Sequence, residues 1–425
     1  MISFYLSKCF ILGLLIKYNI YNDKLVKILL KNIYKCGVIP IKMVQWGLPL
    51  MKLLKIDKNV INILENTYEK CPIHNLEYTK EIFNKDFYNK ISDEYEILDV
   101  IGSGSIAQVY KIKDIKSDKL YAMKVKHPNI NKNFNYIKLL LIIIFKFISF
   151  NKLIPISLND FLNNFEKQIN LLNEGNNLIK FYELHNNNNL YIIPKLHKLS
   201  ENIIIMDYLE GKSIEEFKNN NYKYSKFNLL IYIFMQNNIY INKFNHGDLH
   251  NYNWKINNEN KIVIYDYGLC WELYNISLLN DLNNFIEGLY GYKYDIIYKS
   301  FYNIIKYDSN IDDNIIYDYF EENKKNIIKI MDFFHHILIF SIKYGIILDI
   351  TLLYIIISWQ NQVLIFMNNY SDSERYEHNS LYMEEYNICD YYKIYPEYQI
   401  FLKKQINKYN KTNNYDFNKL NKFIQ

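Results

Sequence analysis

The spacing of apolar residues changes along the chain, and each change marks an element. Over residues 1–90 apolar positions recur at helical spacing, punctuated by Gly37, Pro40, Gly47, Pro49 and Pro72, which predicts a run of helices. From 95 to 126 the pattern turns short and β-rich. YEILDVIG, QVYKIKDI and KLYAMKVK read as three strands separated by a glycine turn and by KSD. A helical pattern covers Leu158–Leu184, and LYIIP and NIIIMDYLEG then read as two more strands. Beyond Gly211 the chain is mainly helical, interrupted by FNHGDLHNYNWKI and by the strand KIVIYDYG. The expected plan is α+β and bilobal: a helical extension (1–90), a small β-rich lobe with a connector at Asp207–Gly211 (91–211), and a larger helical lobe (212–425). Such a division suits a ligand held in a cleft.

Three apolar stretches invite a membrane reading. The N-terminal run Cys9–Ile16 is too short to span a bilayer and predicts an amphipathic helix, with a weak targeting segment as the other reading. Leu139–Phe150 is broken by Lys146, and Ile337–Trp359 by Lys343 and Asp349, so both are expected as buried core helices. Peripheral contact with a membrane or lipid stays open.

Composition narrows the classes. The 425 residues carry 50 basic and 45 acidic side chains, net +5, and Arg375 is the one arginine, so nothing supports nucleic-acid binding. Cys9, Cys36, Cys71, Cys270 and Cys389 form no C-x-x-C and are expected as reduced thiols. The wealth of Asn, Ile, Lys and Tyr is that of an AT-rich genome, and the runs Asn186–Asn189 and Asn219–Asn221 read as surface loops. Glycine is scarce, 12 residues, so a cluster of it is expected to answer a backbone need.

One such cluster is IGSGSIAQVY, Ile101–Tyr110, between two predicted strands. In its loop Gly102, Ser103, Gly104 and Ser105 can turn backbone N–H groups toward phosphates, with Val109 against an adenine; a plain hairpin turn is the simpler alternative. Lys124 follows Ala122 on the next strand, placed like the lysine of kinases that neutralises α- and β-phosphates. It needs a carboxylate to hold it, and Glu166 and Glu174, eight apart, fall near one face of a predicted helix. In HGDLHNYN, Asp248 and Asn253 have catalytic-loop spacing, and Asp266 follows a strand just before Gly268. Phosphoryl transfer needs such a set: a carboxylate to orient the acceptor hydroxyl, then an amide and a second carboxylate to hold Mg²⁺ against the phosphates. His246 and His250 could instead form an i, i+4 zinc pair, but Gly247 and the turn-like HNYN oppose a helix there.

In their details these segments resemble the UbiB/AarF (ABC-one) family of atypical protein-kinase-like proteins. GSGSIAQVY is similar to a loop ending S-I-A-Q-V-H, MKVKHPNI to K-V-Q-H-P-G-I, and INLLNEGNN to E-L-D-x-x-x-E-A-x-N, which selects Glu174 as the partner of Lys124. IIIMDYLEGKSI resembles the hinge, bringing in Met206, Asp207 and Tyr208; HGDLHNYN resembles H-G-D-P-H-P-G-N; IPIKMVQWG resembles the K-x-G-Q signature at Lys42 and Gln45. The resemblance runs from about Gly37 to Leu273. It implies a protein-kinase-like fold with an extra N-terminal helical segment that packs over the active site, ATP or ADP with Mg²⁺ as ligands, and a mitochondrial or otherwise membrane-associated setting linked to isoprenoid-quinone lipids. The departures are Val44 for the signature glycine, Gln168 and Asn170 for two acids, and Gly104 for an alanine. Without those acids Lys42 is expected to lack its usual partners, which loosens the clasp over the cleft. Two alternatives stay open: a small-molecule phosphotransferase like the aminoglycoside or choline kinases, and a non-catalytic nucleotide-gated scaffold.

Overall fold

A computed structural model of the chain describes residues 2–369 apart from 18–19, 69–72, 148, 187–189, 214–215, 217–226, 228–229, 232–233, 236, 291–292 and 308. Asn187–Asn189, Asn219–Asn221, Cys71, Cys389 and Arg375 lie outside the described residues.

The N-terminal segment is helical: α1 (Ile2–Lys17), α2 (Asp23–Cys36), α3 (Val38–Leu53) and α4 (Lys58–Leu64). The Asn22 side chain starts α2 by accepting the Leu25 N–H at 3.0 Å. α1 departs from the amphipathic expectation: Ile16 is buried, but Phe4 and Ile11 are exposed. Among the described residues no helix is long and apolar enough to cross a membrane.

α3 is buried on two sides, because it is apolar nearly all round. Val38, Ile39, Trp46, Leu50 and Leu53 join one core with the helices Ile330–Tyr344 and Ile350–Asn369, while Ile41 and Leu48 join a second with α2 and α4. His335 adds a hydrogen bond to the Leu53 carbonyl at 2.8 Å.

Asn75 caps α5 (Leu76–Phe87), which lies on the next unit, a five-stranded antiparallel sheet. Its strands are β1 (Tyr95–Ser103), β2 (Ala107–Asp114), β3 (Leu120–Lys126), β5 (Leu196–Leu199) and β6 (Ile203–Asp207), in the order β1-β2-β3-β6-β5. Alternation along β3 assigns its faces. Met123 and Val125 pack with Phe83 of α5, leaving Ala122 and Lys124 on the opposite face. β5 was hidden from the sequence pattern by its polar middle, His197–Lys198. The segment read as a strand at LYIIP supplies only β4 (Tyr191–Ile192), which pairs outside this sheet with β9 (Ile262–Ile264).

α6 (Ile130–Ile144) follows β3. The single helix expected over Leu158–Leu184 is two, α7 (Leu158–Gln168) and α8 (Leu171–His185). Asn170 leaves helical geometry (φ −100°, ψ 107°) and accepts the Leu172 N–H, which starts α8 afresh. The break separates the two glutamates: Glu166 is paired with Lys138 at 2.8 Å on the surface, and Glu174 is buried.

The remaining described chain comprises β7 (Phe244–His246) paired with β10 (Cys270–Glu272), β8 (Trp254–Ile256) paired with β9, and helices from Ile276 onward. The apolar stretch Ile337–Trp359 is two packed helices parted by Gly345, whose φ of +68° ends the first. Its charges fall at that junction: Lys343 is exposed, and Asp349 accepts the Thr351 N–H at 2.7 Å. Phe181 of α8 is fully buried against Phe244, Phe234 and Tyr267, beneath the strands that carry the Asp248 and Asp266 loops. Phe181→Ala is expected to cost about 3–5 kcal/mol of unfolding free energy, read from the urea midpoint; a loss under ~1 kcal/mol would contradict this packing.

Candidate active-site cleft

The sheet face bearing Lys124, the start of α8 and the loops after β7 and β9 surround a cavity of ≈ 690 Å³, a size suited to a small-molecule ligand. Lys42, Gln45, Gly102, Ser103, Gly104, Ser105, Val109, Ala122, Lys124, Glu174, Met206, Asp207, Tyr208, Asp248, Asn253 and Asp266 all line it.

Lys124 lies between two carboxylates, 2.6 Å from Glu174 Oε1 and 3.3 Å from Asp266 Oδ1. Burial alone would lower its pKa, but Asp266 and Glu174 outweigh that and hold it above the usual lysine range. It is a fixed positive charge. Asp266 responds in the opposite sense: burial would raise it, yet Lys124, Lys42 and the Gly268 N–H (3.2 Å) hold it well below the usual carboxylate range. Its side chain is 45 % exposed, open to the cleft, whereas Glu174 is shut away at 5 %. Glu174 therefore positions the lysine, and Asp266 is the carboxylate a ligand can reach. Asp266 has φ +55°, a left-handed conformation that costs an L-residue energy and that asparagine and aspartate tolerate best.

The loop Asp248–Asn253 is closed by its own polar groups. Asn253 Nδ2 donates to the Asp248 carbonyl at 2.7 Å, and the Asn253 carbonyl accepts the Tyr265 N–H at 2.8 Å, tying this loop to the one bearing Asp266. His246 braces the same junction. Its Nε2 lies 3.1 Å from the Tyr265 carbonyl and its Nδ1 3.3 Å from the Asp248 N–H, so Nε2 donates and Nδ1 accepts. With both nitrogens occupied by backbone, His246 is no zinc ligand. Among the described residues no group of three or more His, Cys, Asp or Glu is arranged to hold a metal. Gly247 has a steric reason: a Cβ there would come within 2.8 Å of Leu269 and 3.1 Å of Trp271.

Gly102 and Gly104 lie in the loop that lines the cavity. Neither has a positive φ, and a Cβ on Gly102 would meet nothing within 4 Å. What their missing side chains leave is room in the cleft. At the connector, Asp207 is turned to Lys195 N (3.0 Å) and His197 Nε2 (2.6 Å), so a ligand contact at this position falls to its backbone.

The expected loosening of the clasp is not what the structure holds. Lys42 Nζ is 3.2 Å from Asp248 Oδ2, and Gln45 accepts from the Ser105 hydroxyl at 3.2 Å while donating to the Thr67 carbonyl at 2.7 Å. With Gln168 and Asn170 at the two positions where the family resemblance implies acids, Lys42 is paired with Asp248. Burial opposes charge on both, but each stabilises the other's ionised form: Lys42 is shifted up and Asp248 down. Gln168 lines the same cleft with a buried Oε1 that has no hydrogen-bond partner among the described residues.

Sequence reasoning missed two supports. Asn177 Nδ2 holds the Tyr267 carbonyl at 2.9 Å, and its position three residues after Glu174, on the same helix face, was the available signal. Tyr265 ties the connector to the Asp266 loop through its hydroxyl, 2.9 Å from the Leu209 carbonyl; nothing in its apolar-strand context signalled this.

Residues 66–300, more than half of the chain, match the ABC1 atypical kinase-like domain. An uncharacterized, chloroplastic aarF domain-containing protein kinase of Arabidopsis thaliana is 25% identical over 137 residues, which are 31% of this chain and 19% of that protein. Among solved structures, the complex of Mycobacterium tuberculosis Rv3197 with erythromycin is similar at a TM-score of 0.45 and 13% identity, over 67% of this chain and 71% of that one.

Proposed function

This chain belongs to the ABC1 atypical kinase-like family, and on that premise we propose that it binds ATP with Mg²⁺ in the cleft and transfers or hydrolyses the γ-phosphate. The observation that carries the reading is Lys124 held between Glu174 and Asp266 at 2.6 and 3.3 Å, opposite a glycine-bearing loop. A buried lysine fixed by one inaccessible carboxylate and one accessible carboxylate serves to neutralise phosphates beside a cation.

The residues fit Mg²⁺ that arrives with the nucleotide. Magnesium is commonly held by one or two protein carboxylates with waters and phosphates completing its shell. Asp266 presents an ionised, accessible carboxylate, and Asn253 an amide fixed by its bonds within the loop. Bound there, the ion would supply neutralisation of charge developing on the phosphates. Asp248 is the group to orient an acceptor hydroxyl or water and take its proton. Val109 and Ala122 bound the cavity toward Met206, Asp207 and Tyr208, which suits the adenine. By family resemblance the setting is isoprenoid-quinone lipid metabolism or another process at a membrane surface.

The position of Lys42 and Gln45 disfavours an aminoglycoside- or choline-kinase-like enzyme, whose acceptor would need open access to Asp248. The discriminating experiment is ATP hydrolysis with and without Mg²⁺ and anionic liposomes. Turnover is expected only with Mg²⁺, and is expected to rise with liposomes. Nucleotide binding without turnover under every condition would identify a scaffold instead.

A further inference from the structure

Behind the glycine loop, on the side away from the cavity, runs a buried chain of hydrogen bonds that joins it to the residues entering α5. His127, just after β3, touches the loop twice: its N–H donates to the Ile106 carbonyl at 2.9 Å, and its Nε2 lies 3.0 Å from the Gly104 carbonyl. His127 Nδ1 is 2.8 Å from His74 Nδ1; His74 Nε2 is 2.9 Å from Thr79 Oγ1; Thr79 Oγ1 is 2.7 Å from the Tyr110 hydroxyl. Gln108 closes the set, accepting the His74 N–H at 2.9 Å and donating to the Tyr110 oxygen at 2.7 Å. All five side chains are buried.

The chain has one sense when both rings are neutral. A carbonyl only accepts, so His127 Nε2 carries the proton and its Nδ1 accepts from His74 Nδ1. His74 Nε2 must then accept from Thr79, and Thr79 from Tyr110, whose oxygen takes the Gln108 amide. Every member is satisfied in this arrangement, which makes a rigid polar network out of groups that would each be costly if unpaired. Burial keeps both rings neutral, pushing His74 down to about 4 with His127 adding to the effect, and lowering His127 as well.

We propose that His127, oriented by His74, is a positioning residue for the phosphate-binding loop. The Gly104 N–H is spent on the Ala107 carbonyl at 2.9 Å, so it is not the group offered to a ligand. In a trans peptide the C=O and N–H point in opposite directions. Drawing the Gly104 carbonyl back onto His127 therefore turns the Ser105 N–H away from His127, toward the cavity that Gly104 and Ser105 line and His127 does not. The network thus sets the direction of a phosphate donor from the α5 side of the sheet. The inference rests on the nucleotide reading above for its ligand, but the anchoring of the loop does not.

The test compares His127→Phe, which keeps a ring and loses the donor, with His127→Gln, whose amide N–H reaches as far as Nε2, and His127→Asn, whose amide does not. Without nucleotide, hydrogen exchange at the Gly104 and residue-127 amides is expected to speed up about ten-fold in Phe and Asn, the equivalent of losing one hydrogen bond, and to stay near wild type in Gln. Calorimetry should then find Mg·ATP bound about ten-fold more weakly by Phe and Asn with adenosine, which has no phosphates, unaffected. If the Phe variant does not fold, Asn against Gln makes the same comparison. Unchanged loop exchange in Asn or Phe, no rescue by Gln, or equal loss of adenosine and ATP overturns the proposal. Exchange that shifts as expected in a protein whose wild type binds no nucleotide upholds the anchoring and overturns the nucleotide reading.

Discussion

Asp266→Asn is expected to weaken Mg²⁺-dependent nucleotide binding about a hundred-fold while the fold survives. The substitution removes the one carboxylate of the Lys124 pair that opens to the cleft and leaves the buried Glu174 contact in place. Asparagine also suits the left-handed backbone at this position, where φ is +55°, so backbone strain gives no reason for unfolding. A charged contact to the metal is lost, on the order of 3 kcal/mol, or roughly a hundred-fold in affinity. Adenosine alone should bind as before. Titration calorimetry with and without Mg²⁺ decides it: unchanged Mg²⁺-dependent affinity would refute the metal assignment for Asp266.

The second large effect is expected at Lys42→Ala. In the native protein Lys42 stabilises the Asp248 carboxylate and shifts it down, which makes it a weak base. Removing the ammonium leaves burial dominant, so the Asp248 pKa must climb. A base must be ionised to act, so the acid limb of the pH–rate profile should move to higher pH. Above that limb turnover should rise several-fold, because the base is stronger and its approach is cleared. Stability should fall by no more than about 1 kcal/mol, because the pair is partly exposed to the cleft and Asp248 keeps His250 nearby. An ATP hydrolysis profile that superimposes on wild type from acid to neutral pH would show that Lys42 does not govern Asp248.

What the sequence revealed of this cleft follows from distance along the chain. Lys124, Asp248, Asn253 and Asp266 were legible because the chemistry fixes their offsets from local elements: a glycine turn, a strand end, a five-residue loop. Glu174 was legible only through its resemblance to a family motif, since helical spacing made Glu166 an equal candidate. The cap at Asn170 that separates the two was visible as an asparagine, but the apolar period ran on across it and outweighed it. Lys42 could be named, yet not its partner, because the two are 206 residues apart and the pairing depends on how α3 docks. The His74–His127 chain left no periodic trace at all. Its members come from the entry to α5, α5 itself, β2 and the end of β3, and only the packed sheet brings them together.

That docking of α3 also decides how a substrate could ever reach Asp248. The helix is riveted on both sides, to the C-terminal helices through Trp46, Leu50 and Leu53 and to α2 and α4 through Ile41 and Leu48. Swinging it aside would tear open two cores at once, whereas rotating Lys42 about its own side-chain bonds disturbs a single ion pair. On the proposed reading, access to Asp248 would therefore turn on the side chains of Lys42 and Gln45 and not on travel of the helix. In phosphotransfer, a group that reaches Asp248 would first have to displace Lys42, without any movement of the helix that carries it.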